Sequence, residues 1–128
     1  MKLELRDVFK GIAARAQRAN AARLSAGQAV SGGKLPPRDE GGVPGVRTGA
    51  MASDLTNPAN VRVTENGFRI VPGASVRKRL EAFVLGNGRQ PPRPFVGVSG
   101  ELVDEARAQV ARETARQIAK HLAARGRR

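Results

Sequence analysis

Cysteine is missing altogether from this chain, and so are tryptophan and tyrosine. Without a thiol there is no disulfide scaffold, no thiolate zinc site, no cysteine nucleophile and no iron–sulfur cluster, and nothing that marks an oxidising compartment. Long apolar runs are missing too: none approaches the roughly 20 residues needed to span a bilayer, so no membrane partner is expected. The opening Met1-Lys2-Leu3-Glu4-Leu5-Arg6-Asp7 carries charge where a signal peptide needs an apolar stretch, so it reads as mature sequence of a soluble protein made in a cytoplasm. Large apolar side chains are scarce. Alanine supplies 20 of the 51 hydrophobic residues, which leaves 29 Leu, Ile, Val and Phe in 128, close to the level at which chains stop folding alone. A chain of this length makes one domain, residues 1–128, and buries only about two-thirds of the surface its unfolded form exposes. The core is expected to be thin.

What the chain has in abundance is positive charge: 23 Lys and Arg against 11 Asp and Glu, a net +12, with 18 of the cations Arg. A compact monomer so charged repels itself, which favours an anionic partner or neighbouring subunits. Arginine also suits bidentate contact to carboxylates and phosphates better than lysine does. The cations are spread along the chain with no aromatics between them to stack on bases, which leaves non-specific attraction to duplex phosphate rather than sequence reading. A high-GC coding bias accounts for any single arginine equally well. The cluster Arg125, Arg127 and Arg128, in a short basic tail over residues 125–128, leans toward a polyanion contact.

Periodicity organises the rest. Leu5, Val8, Phe9, Ile12 and Ala16 at helical spacing predict an amphipathic helix over about residues 3–26, with Gly27 as its stop. Residues 27–47 are too rich in Gly and Pro for helix or central strand, so an extended arm that orders against a partner is expected there, adding almost nothing to the core. Thr48 is a candidate N-cap for a short helix to Leu55. Val61 to Glu65, Asn66-Gly67 and Phe68 to Val71 predict a β-hairpin over residues 61–71. A type I′ turn at Asn66-Gly67 would pair Glu65 with Phe68 and Val63 with Ile70, putting Val61, Val63, Phe68 and Ile70 on one face. A second short helix follows over about residues 75–85, with Val76, Leu80, Phe83 and Val84 on its apolar side. Three prolines extend residues 90–95, and Val96-Gly97-Val98 is a candidate edge strand. Ser99 is a natural N-cap for a final helix over about residues 100–124, whose apolar line is Val103, Ala106, Val110, Ile118 and Leu122. The class is therefore α+β: long N- and C-terminal helices on a small antiparallel sheet, with a short helix and a long arm.

The inventory offers no catalytic machinery. There is no Gly-x-Ser-x-Gly, Walker or dinucleotide-binding pattern. His121, among cations at a helix end, fits a solvated or dipole-matched role far better than a general base. Glu101, Asp104 and Glu105 fit the first turns of a helix, where carboxylates complement the macrodipole, far better than a metal cluster. No catalytic, cofactor-binding or metal-ligating residue is nominated, and an enzyme is not expected.

Taken in order, the segments resemble the virion-morphogenesis or tail-completion family of tailed bacteriophages, found also in prophages and gene transfer agents. The resemblance rests on Thr48-Gly49 before a short helix, the hairpin from Val61 to Val71, Arg93-Pro94-Phe95-Val96-Gly97-Val98-Ser99, and the acidic helix start from Glu101 to Glu105. It spans the chain from about Arg47 onward. It implies a structural protein of the virion neck or tail: a homo-oligomeric ring, a hexamer, at the head-proximal end of the tail, joined to neighbouring neck and tail proteins, with packaged DNA passing through. Arg47, Thr48, Gly49, Arg93, Pro94 and Phe95 become candidates for subunit contact, and Arg125, Arg127 and Arg128 candidates to face DNA. Read physically, Arg93 between prolines either clamps a carboxylate on a neighbour or merely belongs to a Pro-forced exit, while Phe95 reads first as a core plug. The rivals are a small basic nucleic-acid-binding protein and another part of the same particle, such as a tail terminator or a connector adaptor or stopper.

Overall fold

The computed structural model describes residues 1–36, 49–86 and 91–126. The apolar and alanine periodicity of the first segment winds helix α1 over Arg6–Ala26, and Gly27, at φ 66°, ends it in the left-handed conformation that glycine adopts without penalty. A short helix α2 covers Gly49–Leu55. A 3₁₀ turn, Pro58–Asn60, is capped by the Asn57 side chain, which accepts from Ala59 N–H at 3.0 Å. It feeds an antiparallel pair, β1 (Val61–Val63) and β2 (Phe68–Ile70). Helix α3 covers Arg77–Leu85 and α4 covers Gly100–Gly126. The fold is α+β, with two long helices, two short ones and a two-stranded sheet. Among the described residues no helix is long and apolar enough to cross a membrane.

The two long helices run antiparallel. Gln117 on α4 exchanges two hydrogen bonds with the Glu4 backbone, accepting from its N–H at 2.8 Å and donating to its carbonyl at 2.7 Å. Near the other end Arg15 on α1 pairs with Glu105 on α4. Ser99 caps α4 as expected, its Oγ accepting from Leu102 N–H at 3.2 Å. The core gathers Leu24, Ala29, Leu35, Met51, Leu55, Leu80, Phe83 and Phe95, with Ala21 and Val84 packed at its edge. Phe95 is completely buried and meets Phe83 edge-to-face, ring centroids 5.5 Å apart and planes at 79°.

Three expectations are corrected. The hairpin register is Val61↔Ile70 and Val63↔Phe68, two residues away from the expected pairing. A type I′ turn needs φ > 0 at both central residues, and neither Asn66 nor Gly67 has it. Instead the chain bends at Glu65-Asn66: Thr64 N–H donates to the Gly67 carbonyl at 2.8 Å, and Thr64 Oγ1 accepts from Asn66 N–H at 3.2 Å. A slip of two leaves each side chain on its face, so Val61, Val63, Phe68 and Ile70 still lie together.

Val96-Gly97-Val98 forms no strand. The segment is fixed by single bonds to side chains instead: Gly97 N–H donates to Asn20 Oδ1 at 3.1 Å, and the Gly97 carbonyl accepts from Arg23 at 2.7 Å.

Residues 27–36, the first half of the expected arm, fold back on the body rather than reaching away. Gln28 bridges Lys34, Leu35 N–H donates to the Gly27 carbonyl at 2.7 Å, and Ala29 and Leu35 enter the core. Left-handed Gly27 and Gly32 (φ 95°) supply the two reversals that bring these apolar residues inward. The remainder, residues 37–47, lies outside the described residues.

The apolar line of α4 is covered over only part of its length. Leu102 is buried and Val103, Ala106 and Val110 are half-buried, but Ile118 and Leu122 are exposed, because the last nine residues run on past the Glu4 clamp.

Candidate assembly surface

The nominated contact residues do not gather into one exposed patch. Arg93 is buried, with 4% of its surface exposed. Its backbone N–H is held by the Phe83 and Val84 carbonyls at the end of α3, both at 3.1 Å. Its guanidinium lies over the Phe83 ring at 5.0 Å from the centroid, and Nε donates to the Pro36 carbonyl at 3.0 Å. A cation in this place is a tie between residues 27–36 and the α3 end, and the reading of Arg93 as a clamp on a neighbouring subunit is replaced by that role. Phe95 plugs the core and is equally unavailable. Pro94 is exposed, and Gly49 opens α2. Arg47, Thr48, Arg127 and Arg128 lie outside the described residues. Arg125 is exposed in the last turn of α4.

Arg23, not singled out in the sequence, does much of the fixing that Arg93 does on the other side. Its Nε donates to the Phe95 carbonyl and its Nη2 to the Gly97 carbonyl, both at 2.7 Å, and Nη2 also reaches Asn20 Oδ1. Burial draws its pKa below the ordinary arginine value. One side chain thereby fastens the end of α1 to the segment that launches α4. Gly97 sits where an added Cβ would come within 3.1 Å of Val30, so the backbone path there depends on glycine.

Two surfaces stand out among the described residues. The first is an apolar groove of about 540 Å³ between α1, the hairpin and α4, lined by Phe9, Ile12, Phe68, Val98, Val103 and Val110. The second is the free end of α4. Arg112, Arg116 and Lys120 recur at i, i+4 and i+8, which aligns them on one face, while Ala111, Ala115, Ile118 and Leu122 fall on the opposite one. Ile118 is 41% and Leu122 59% exposed. Arg116 is paired with Glu113 at 2.6 Å, and the bonds from Arg116 and Gln117 pull the Glu113 carboxyl down to about 2. The basic stripe follows from the four-residue spacing alone. Among the described residues no group of three or more Asp, Glu and His lies close enough to hold a metal ion.

Compared with family models, curated proteins and solved structures, the chain gives no match.

Proposed function

We propose that this chain is a structural assembly protein whose burial is completed by neighbouring subunits. The observation that carries the reading is α4: 27 residues with Leu102 as its one buried side chain among those described, ending in a helix that is apolar on one face and basic on the other. An exposed apolar flank on a chain this short of large apolar residues is a contact surface awaiting a partner. The opposed Arg112, Arg116 and Lys120 suit a polyanion on the other side.

The particular reading is a tail-completion or neck component of a tailed phage: a homo-oligomeric ring, a hexamer, located in the virion at the head-proximal end of the tail and joining tail to head connector. Its support is the order of segments from Thr48-Gly49 through Arg93 to Ser99 into an acidic helix start, together with that helix end. In a ring, the flank of Ile118 and Leu122 packs on the next subunit while the basic stripe looks toward the DNA passage. Cryo-electron microscopy of the particle tests it: density for this chain in a ring at the neck supports the reading, and intact tails assembled without the chain refute it.

A second reading, a small basic nucleic-acid-binding protein, is favoured by the same stripe. If each cation neutralises one phosphate, at about 0.9 in salt slope apiece, then duplex DNA binding by the isolated chain should show a slope smaller by about 3 once all three become Gln. Absence of binding at moderate salt would remove this reading.

A further inference from the structure

A second concavity, of about 280 Å³, opens between α1, α2, the hairpin and the Val96 segment. Its walls are mostly apolar, with Leu55, Phe68, Ile70, Leu80 and Val96 among them, yet three polar side chains also line it: Asn20, Asn60 and Asp54. Asn20 is 4% and Asn60 9% exposed. The orientation of each amide is fixed by its neighbours. Asn20 Oδ1 accepts from Gly97 N–H at 3.1 Å and from Arg23, so Nδ2 is the atom left over. Asn60 Nδ2 donates to the Asp54 carbonyl at 2.9 Å and to Asp54 Oδ1 at 3.0 Å, so Oδ1 is left over. Neither remaining atom has a hydrogen-bond partner among the described residues, although a buried polar atom is ordinarily paired and is costly when it is not.

The cleft thus offers a donor and an acceptor in an apolar setting. Its volume lies just under the roughly 300 Å³ at which ligand pockets begin and far above the ~30 Å³ of one water, and a mostly apolar lining gives ordered waters few partners. Asp54 on the wall disfavours an anion. We propose that the cleft binds one aliphatic residue of a partner polypeptide, its carbonyl taken by Asn20 Nδ2, its N–H by Asn60 Oδ1, and its side chain by Phe68, Ile70 and Leu80. Adjacent C=O and N–H groups around an apolar body are the chemistry of a peptide segment, and a neutral one carries an acceptor for Asn20 Nδ2 and a donor for Asn60 Oδ1. The site does not depend on the phage reading.

The test uses the full chain, labelled with ¹⁵N, and N-acetyl-leucinamide as the probe. Saturable shifts of the Asn20 and Asn60 side-chain resonances and of Gly97 N–H, at roughly millimolar affinity, are expected. The carboxylate 4-methylpentanoate should bind at least tenfold more weakly. Asn20→Asp keeps the oxygen that accepts from Gly97 and Arg23 while turning the free donor into an acceptor, and should weaken the probe tenfold or more. Val96→Phe, at a 38% exposed position on the rim, should block the cleft without touching the polar network. The proposal is overturned if the probe gives no saturable shifts in the parent, or if Asn20→Asp and Val96→Phe, shown folded by circular dichroism, bind it as the parent does.

Discussion

Replacing Ile118 and Leu122 together by Ser separates the stability of the subunit from the stability of its assembly. Their exposed fractions, 41% and 59%, together amount to about one whole apolar side chain still facing water. Burying one such side chain contributes about 1.5–3 kcal/mol, so an interface that covers both residues should be weakened by that much when they become Ser. At 1.4 kcal/mol per decade this is roughly a 10- to 150-fold rise in the subunit dissociation constant. Within the subunit the same change removes little. Exposed positions typically shift stability by about 0.5 kcal/mol or less, and Ser in place of Leu in a helix adds a few tenths, so the monomer should lose less than about 1 kcal/mol. Sedimentation equilibrium measures the first quantity and urea unfolding at low concentration the second. A double variant that associates as the parent does would refute the reasoning, and so would a monomer destabilised by more than about 2 kcal/mol, since the residues would then belong to the fold.

Phe95→Ala should cost about 3–5 kcal/mol, the usual penalty for emptying a buried aromatic site, with Phe95→Leu costing less than half of that; urea midpoints at unchanged slope check it, and a loss below about 1 kcal/mol would contradict the plug. Ser99→Ala should cost about 1 kcal/mol by removing the acceptor for Leu102 N–H, and Ser99→Asp should restore it in the same assay. Glu113, held down to about 2 chiefly by its bond from Arg116, contributes stability that is present above the unfolded carboxylate value of about 4.3 and lost as pH falls toward 2. Thermal melts over that window should slope less for Glu113→Gln than for the parent, and equal slopes would contradict the assignment.

The elements with a long period were legible in the sequence. Leu5 to Ala16 and the Ser99 cap with its acidic first turns located α1 and α4 because each residue there votes for the same structure. Val76, Leu80 and Phe83 likewise mark the inner face of α3. What could not be read was anything decided by partners distant in sequence. Asn66-Gly67 carries a strong local turn preference, yet the bend falls one residue earlier, where the Thr64 hydroxyl accepts from Asn66 N–H. Residues 27–36 look like linker by composition, but two left-handed glycines aim Ala29 and Leu35 into the core. Arg93 is charged and flanked by prolines, which suggests presentation to solvent, whereas the Phe83 ring and the Pro36 carbonyl take it inside. The amide pair of Asn20 and Asn60, 40 positions apart, gives no local signal at all; only the closure of α1, α2 and the Val96 segment brings them to one cleft.

The reciprocal bond between Gln117 and the Glu4 backbone has a practical consequence for anyone who handles this protein. It brings the first residues to the Gln117 turn of α4, while Lys2 pairs with Glu65 at the hairpin bend at 3.0 Å and Met1 is exposed. A purification tag or fluorescent protein fused ahead of Met1 would therefore start near the hairpin bend and the Gln117 turn, while one attached beyond Gly126 would start past Ile118 and Leu122. Two fusions of equal size should behave as different reagents, one crowding the hairpin bend and the other the exposed last turns of α4.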